Sequence, residues 1–268
     1  MRLRYEEHTW PELRELAQRD DLVVVIPTAT LEDHGHHLPV DTDARLVSAI
    51  CERAVAAAGG HALLFPTQVH GYTPHHMDFP GSVTLRWNVF VEALVDQGRS
   101  LCRHGFDRLL FVNGHGSNQP LVDIAARLIG VEFRHAVCGS CFYLQSPEGK
   151  RVISEVRDSE QPGGMAHACE LETSLYLALQ PDLVQMDKAV REIPEWDSEH
   201  VWLDWSDGPL QVWPHWSGLS RSGVVGDATV ATADKGKTLL SAAVNEIHAY
   251  ISEISTRRRL PGEDHHES

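Results

Sequence analysis

Three short segments concentrate the side chains that hold metal ions or move protons. The first is Glu32-Asp33-His34-Gly35-His36-His37, followed closely by Asp41, Thr42 and Asp43. The second is Asn113-Gly114-His115-Gly116-Ser117-Asn118, and the third is His167-Ala168-Cys169-Glu170-Leu171-Glu172-Thr173-Ser174. Imidazole is the commonest metal ligand in proteins and the usual acid–base group near neutrality. Carboxylates add the hard oxygen donors of a mixed site. In an extended loop, side chains two apart point the same way, so Glu32, His34 and His36 are expected on one face, with Gly35 allowing a tight turn. Each segment also has a plainer reading. Asp41 to Asp43 suit a helix N-terminus as caps and dipole partners, and so do Glu170 and Glu172. His115 between glycines can be an ordinary loop residue, and a glycine-rich loop of this kind can cradle phosphate, although the lysine of a P-loop is missing. The plainer reading does not explain a glutamate and histidines in the loop before Asp41.

The intervening sequence must bring these segments together. Leu22 to Ile26 (LVVVI), ended by Pro27, reads as a buried strand, and Ala62–Phe65, Arg108–Val112 and Glu132–Val137 read as three more. Helices are expected after Thr9, then over about Ala44–Ala58, Val89–His104, Pro120–Ile129, Cys169–Leu179 and Asp234–Ile254, several of them stopped by glycine. Strands alternating with helices predict an α/β fold with a mostly parallel sheet covered on both faces. Ligands of such sheets bind beyond the carboxyl ends of the strands. Glu32, His34, Asp43 and His115 all follow a strand, so separate loops are expected to converge there. No composition break divides the chain, which reads as a single domain over 1–254 with a polar, disordered tail at 255–268.

Charge and composition exclude several partners. The formal net charge of −15 argues against nucleic acid, which needs a clustered positive surface, and against anionic lipid. No apolar run is long enough for a membrane-spanning helix, and the start MRLRYEEHTW lacks a signal-peptide core, so a cytoplasmic location is expected. Five scattered cysteines do not make a disulfide framework, and the lone Cys138-x-x-Cys141 pair reads as structural. Five of the seven tryptophans fall between Glu195 and Ser222. Such a stretch serves most often as core or subunit interface, and alternatively as the wall of a binding site.

Taken in order, LEDHGHHLPVDTD, HHMDFPGSVTL, NGHGSN, HACELETS and SGVVGDATVATADKG resemble the motifs of the creatininase family, the creatinine amidohydrolase-like metal-dependent hydrolases, over about Leu22 to Tyr250. The resemblance implies a three-layer α/β/α sandwich, a homo-oligomer (often a hexamer) and two metal ions per chain, Zn²⁺ or Mn²⁺. Carried over by position, Glu32, Asp43 and His115 hold one ion. His34, Asp43 and Glu172 hold the other, with Asp43 bridging. One departure stands out: creatininase itself has a ligating glutamate two residues after the histidine of its N-G-H motif, where this chain has Ser117. That points to Glu172, with Glu170 as its rival, and away from creatinine itself as the substrate.

The chemistry implied is hydrolysis of a C–N bond in a small, cyclic amide by a water held between two ions. His167 is the candidate proton donor to the leaving nitrogen, with an orienting role as the alternative. Backbone N–H groups near Gly116 would stabilise the oxyanion. His36, His75, His76 and Asp78 are expected to line the pocket, with Trp196, Trp213 and Trp216 as an aromatic wall. The competing readings are a lactone-opening hydrolase or peptidase of the same family, and a metal-binding module without catalysis. The last would need closed, four-ligand sites.

Overall fold

The computed structural model describes residues 1–268 apart from Asp197, Ser206, Asp207, Pro261, Asp264, Glu267 and Ser268. Its main elements are α1 (Trp10–Leu16), β1 (Val23–Thr28), α2 (Thr42–Ala57), β2 (Ala62–Leu64), α3 (Trp87–Arg103), β3 (Arg108–Asn113), α4 (Gln119–Glu132), β4 (Val137–Phe142), α5 (Pro147–Val156), β5 (Met165–His167), α6 (Glu170–Leu179), β6 (Arg191–Glu192), β7 (Val225–Asp227) and α7 (Ala233–Thr256). Strands β2-β1-β3-β4 form a parallel sheet in that order.

The pleat sorts side chains between two cores, because successive residues of a strand face opposite ways. Val23, Val25, Leu110 and Val112 join Leu46, Ile50, Leu175 and Ile247 from α2, α6 and α7 on one face. Val24, Ile26, Leu109 and Phe111 join Phe90, Leu94, Val122 and Ile129 from α3 and α4 on the other. Both faces are covered, so β1 and β3 are buried at every position and read as unbroken apolar runs. The result is the expected α/β/α sandwich. Cys138 packs into one core and Cys141 into the other, so the C-x-x-C spacing places the two thiols on opposite sides of the sheet.

Several expectations are corrected. Strand β1 does not stop at Pro27 but continues to Thr28, and the Pro27 carbonyl accepts from Gln68 N. The fourth strand lies later than Glu132–Val137: α4 runs to Glu132, with Val131 on its exposed face, and β4 begins at Val137. VCGSCF is a weak strand sequence, and its pairing with β3 is what makes it one. Asp41 does not cap α2; its carboxylate accepts from Arg45 at 2.6 Å and from the Tyr176 hydroxyl at 2.9 Å. The last helix outruns Ile254 to reach Thr256, and its end is held by Arg108, which donates to Ile254 O at 2.6 Å and Arg257 O at 2.9 Å. Beyond it, Arg259 pairs with Asp20 and Asp107. Two features were not anticipated, namely α5 and a small antiparallel sheet ordered β5-β7-β6. Its strands span only two or three residues, too short to carry a period.

Candidate metal centre

From β1 the chain crosses to β2 on one side, and the next crossover puts β3 on the other side of β1. The loops after β1 and β3 therefore part, and a crevice opens between them at the carboxyl end of the sheet. Glu32 and His34 enter it from the first loop, His115 from the second, and Asp43 from the first turn of α2. The asparagines of the second motif are scaffolding. Asn113 Nδ2 donates to His115 O at 2.6 Å, and its Oδ1 accepts from His115 N at 3.1 Å. Asn118 Nδ2 donates to Ala29 O at 3.1 Å, tying the two loops together. Gly114 permits the close approach, since a Cβ there would lie 2.8 Å from Val47 Cβ.

Asp43 is the hinge of the cluster. Its Oδ1 lies 3.2 Å from His34 Nε2, and its Oδ2 lies 3.1 Å from His115 Nδ1. Glu32 Oε1 is 3.1 Å from His115 Nδ1, and Glu172 Oε1 is 3.7 Å from His34 Nε2. Thr30 Oγ1 lies 3.0 Å from Glu32 Oε2 and 2.8 Å from Asp43 Oδ2 and shares its one proton between them, and Thr73 also donates to Glu32. Three sets offer ligand atoms within 4.8 Å of one another: Glu32 with Asp43 and His115, His34 with His167 and Glu172, and Glu32 with His76 and His167. The first set matches the expected triplet. In the second, His167 stands where Asp43 was expected.

Opposed charges dominate the electrostatics of this buried cluster. Burial alone would raise Glu32, but His115 and His76 hold its carboxyl well below the ordinary range. Asp43 is likewise lowered, burial and Glu32 being outweighed by His34 and His115. Burial works against protonation of the two facing imidazoles. Even so, Asp43 and Glu172 raise His34 well above its usual value, and Glu32 and Asp43 carry His115 up to about 10. His167 moves the other way, pushed well below its usual value by burial and by His34 and His76. Glu32 Oε1 and His34 Nε2 are buried without a hydrogen-bond partner. Carboxylates and imidazoles packed this closely, with such orphaned atoms, are a donor set suited to divalent cations, which would displace the imidazole protons.

The rival acid is used elsewhere. Glu170 accepts from Asp158 N at 3.0 Å, from Ser159 N at 2.9 Å and from Lys235. Two residues apart on α6, Glu170 and Glu172 face different neighbours, and it is Glu172 that lines the crevice. Between them and His167 sits Ala168, which adopts φ 49°, a left-handed turn from β5 into α6.

A cavity of about 430 Å³ opens over the cluster, lined among others by His75, His76, Gly116, Phe142, Trp205, Trp213 and Trp216. His75, His76, Gly116, Trp213 and Trp216, all named from the sequence, are part of this lining, and Trp205 joins them unanticipated. His36 does not: it is exposed, because Gly35 at φ 66° breaks the alternation that would have aligned it with Glu32 and His34. His37 turns inward instead, within 2.8 Å of Thr173 Oγ1. Asp78 stays outside, accepting from Ser217. Trp196 packs near Gly163, away from the cavity lining. The sequence reading also passed over Thr30, Thr73 and Asp33, whose hydrogen bonds hold the ligand candidates. Only the strict placement of Asp33 between Glu32 and His34 hinted at its role.

The chain is similar to known proteins over nearly its whole length. The family model described as creatinine amidohydrolase matches residues 6–251. A creatinine amidohydrolase of Pseudomonas putida is 30% identical over 92% of this chain and 95% of its own. A mycofactocin precursor peptide peptidase of Mycolicibacterium smegmatis is 31% identical over 83% and 81%. Among solved structures, a manganese creatininase superposes with a TM-score of 0.82 at 28% identity, covering 96% of this chain and 100% of the other. A mutant creatininase of the Zn-Zn type gives 0.81 at 28% identity, with the same coverage.

Proposed function

The chain belongs to the creatininase family of hydrolases, and from that premise we propose that it cleaves a C–N bond of an uncharged or cationic cyclic amide with the help of two divalent ions, zinc or manganese. The observation that carries the two-ion reading is Asp43, whose two carboxylate oxygens face two different histidines, 3.2 and 3.1 Å away. Glu32, Asp43 and His115 would hold one ion. His34, Asp43 and Glu172 would hold the other. Ions so held supply Lewis acidity and lower the pKa of water.

His167 is then a proton carrier that starts empty. Its Nε2–H is committed to the carbonyl of Asp33 at 2.8 Å, and burial keeps the ring neutral. Nδ1 can accept the proton of the attacking water and afterwards return it to the leaving nitrogen. The donor role expected from the sequence thus follows an acceptor role. Gly116 lines the cavity beside His115, and its backbone N–H is the candidate donor to an oxyanion.

Charge in the cavity supports the choice of substrate. Among its described residues the lining has no lysine or arginine, and it carries Asp43, Glu172 and Asp204. Asp204 is paired with Arg157 at 2.7 Å. Trp205, Trp213, Trp216 and Phe142 offer flat apolar faces to a ring. Away from the ligand cluster and the ions it would hold, the described lining offers an anionic substrate no lysine or arginine. The likeness to a peptidase makes an open peptide amide the second reading.

Elemental analysis joined to a panel of cyclic amides, cyclic ureides, lactones and short peptides tests both levels. Zinc or manganese at about two ions per chain is expected, with turnover of neutral or cationic cyclic amides and little of carboxylated or phosphorylated analogues. Turnover by chelator-treated, metal-free protein would overturn the mechanism. Preference for an anionic ring would overturn the substrate class.

A further inference from the structure

Asp33, between the two expected ligands of the first motif, has so far entered only through its carbonyl oxygen. It is buried, and its N–H donates to Ser82 Oγ at 3.0 Å, which anchors its main chain. Its carboxylate Oδ1 accepts from His76 Nδ1 at 2.6 Å, and its own carbonyl oxygen accepts from His167 Nε2 at 2.8 Å.

These two bonds decide where the ring protons sit. A carbonyl oxygen only accepts, so His167 carries its proton on Nε2 and leaves Nδ1 bare. The carboxylate oxygen 2.6 Å from His76 Nδ1 accepts from the N–H of that nitrogen, so a neutral His76 is the opposite tautomer, protonated on Nδ1 with Nε2 bare. Both bare nitrogens turn toward one atom. His76 Nε2 is 3.8 Å and His167 Nδ1 is 3.7 Å from Glu32 Oε1. That oxygen is buried and has no hydrogen-bond partner. The rings lie 4.5 Å apart between centroids, and Trp216 packs against both, stacked on His76 and edge-on to His167. Neither ring is therefore free to turn its protonated nitrogen inward.

We propose that Asp33 is a positioning residue, which through its carboxylate and its own carbonyl oxygen holds His76 and His167 as opposite tautomers, so that both present an unprotonated nitrogen to Glu32. Three proton-accepting atoms then converge on one point beside the ligand cluster. Whatever enters there must bring an N–H, an O–H or a positive charge, as an attacking water or a protonated leaving nitrogen does. One imidazole held by a side chain and one by the backbone of the same residue move together, so a shift of this loop would alter both acceptors at once. The effect on turnover rests on the amidohydrolase reading; the tautomers do not.

Long-range ¹H–¹⁵N spectra of protein labelled with ¹⁵N-histidine and loaded with diamagnetic Zn²⁺ test this directly, with the two rings assigned from His76→Gln and His167→Gln. The expected result is Nδ1–H at His76 and Nε2–H at His167. In Asp33→Ala, His76 should lose its single tautomer while His167 keeps its own, because the backbone carbonyl remains. Asp33→Asn, whose amide oxygen still accepts, should restore His76. With a substrate in hand, Asp33→Ala should lower kcat by roughly 10–100-fold, the usual cost of removing a group that orients a site histidine, and leave KM nearly unchanged. A proton on Nε2 of His76 in the parent protein, or an unaltered His76 in Asp33→Ala, overturns the proposal. If Asp33→Ala does not fold, the parent spectrum and Asp33→Asn still decide. The stated tautomers without hydrolysis of any amide would sink the amidohydrolase reading and leave this one standing.

Discussion

Two chemically alike residues two positions apart, Glu170 and Glu172, show how residue-level roles divide. Glu170 is 1% exposed and bonded to two backbone N–H groups and Lys235. It closes the turn before α6 and touches nothing in the crevice. Glu172 faces His34. Glu172→Gln should therefore leave a folded protein that holds about one ion in place of two and turns over at least about 100-fold more slowly, beyond the cost of losing a mere supporting group. Glu170→Gln should keep both ions and instead lose about 1.5–3 kcal/mol of stability, the worth of a hydrogen bond to a charged group. Metal content and denaturant unfolding of the two variants check the division, and the reverse pattern would exchange the roles.

At the scale of elements, the turn from β5 into α6 sets His167 against Glu172. Ala168 makes that turn at φ 49° and is fully buried. A left-handed residue with a Cβ costs roughly 1–2 kcal/mol. Glycine there would remove that strain but add about 0.5–1 kcal/mol of unfolded-chain entropy. Ala168→Gly is thus expected to change stability by less than about 1 kcal/mol and to keep the metals. Ala168→Val puts a β-branched side chain in a conformation it scarcely adopts, with no space around it. It should cost about 2 kcal/mol or more and loosen the second ion. Urea unfolding and metal analysis separate these outcomes; an equal cost for both variants would show that the turn is not strained.

For the molecule as a whole, buried neutral histidine makes stability depend on pH. Burial, with His34 and His36 nearby, lowers His37 from 6.5 to about 4. In the unfolded chain it takes up a proton near its ordinary value, while in the fold it stays neutral until about pH 4. Between those values the unfolded state binds more protons, so the contribution of His37 is complete above pH 6.5 and is lost as pH falls toward 4. The metal-loaded protein should show a falling unfolding midpoint over that window. His37→Gln, which can still reach Thr173, should flatten the slope relative to the parent. Parallel curves for the two proteins would remove His37 as the cause. Among the described residues, no helix is long and apolar enough to cross a membrane.

By itself the sequence determined what depends on local period and residue type. The apolar runs of β1 and β3 are legible because both faces of a central parallel strand are buried. The helices other than α5 are legible because one stripe of each is buried. Glu32, His34, Asp43 and His115 could be placed at one sheet edge because each follows a strand, and the order of motifs carried the family. Tertiary structure decided what local pattern does not encode. Strand β4 exists because β3 pairs with it. His36 leaves the site because Gly35 turns the chain, while His37 and Trp205 take up inward positions that their types alone do not demand. Glu170 and Glu172 are chemically alike, and only Lys235 and His34, contributed from distant positions, tell them apart. The protonation of His76 and His167 likewise follows from where one aspartate comes to rest between them, a relation across more than a hundred residues that no spacing in the chain expresses.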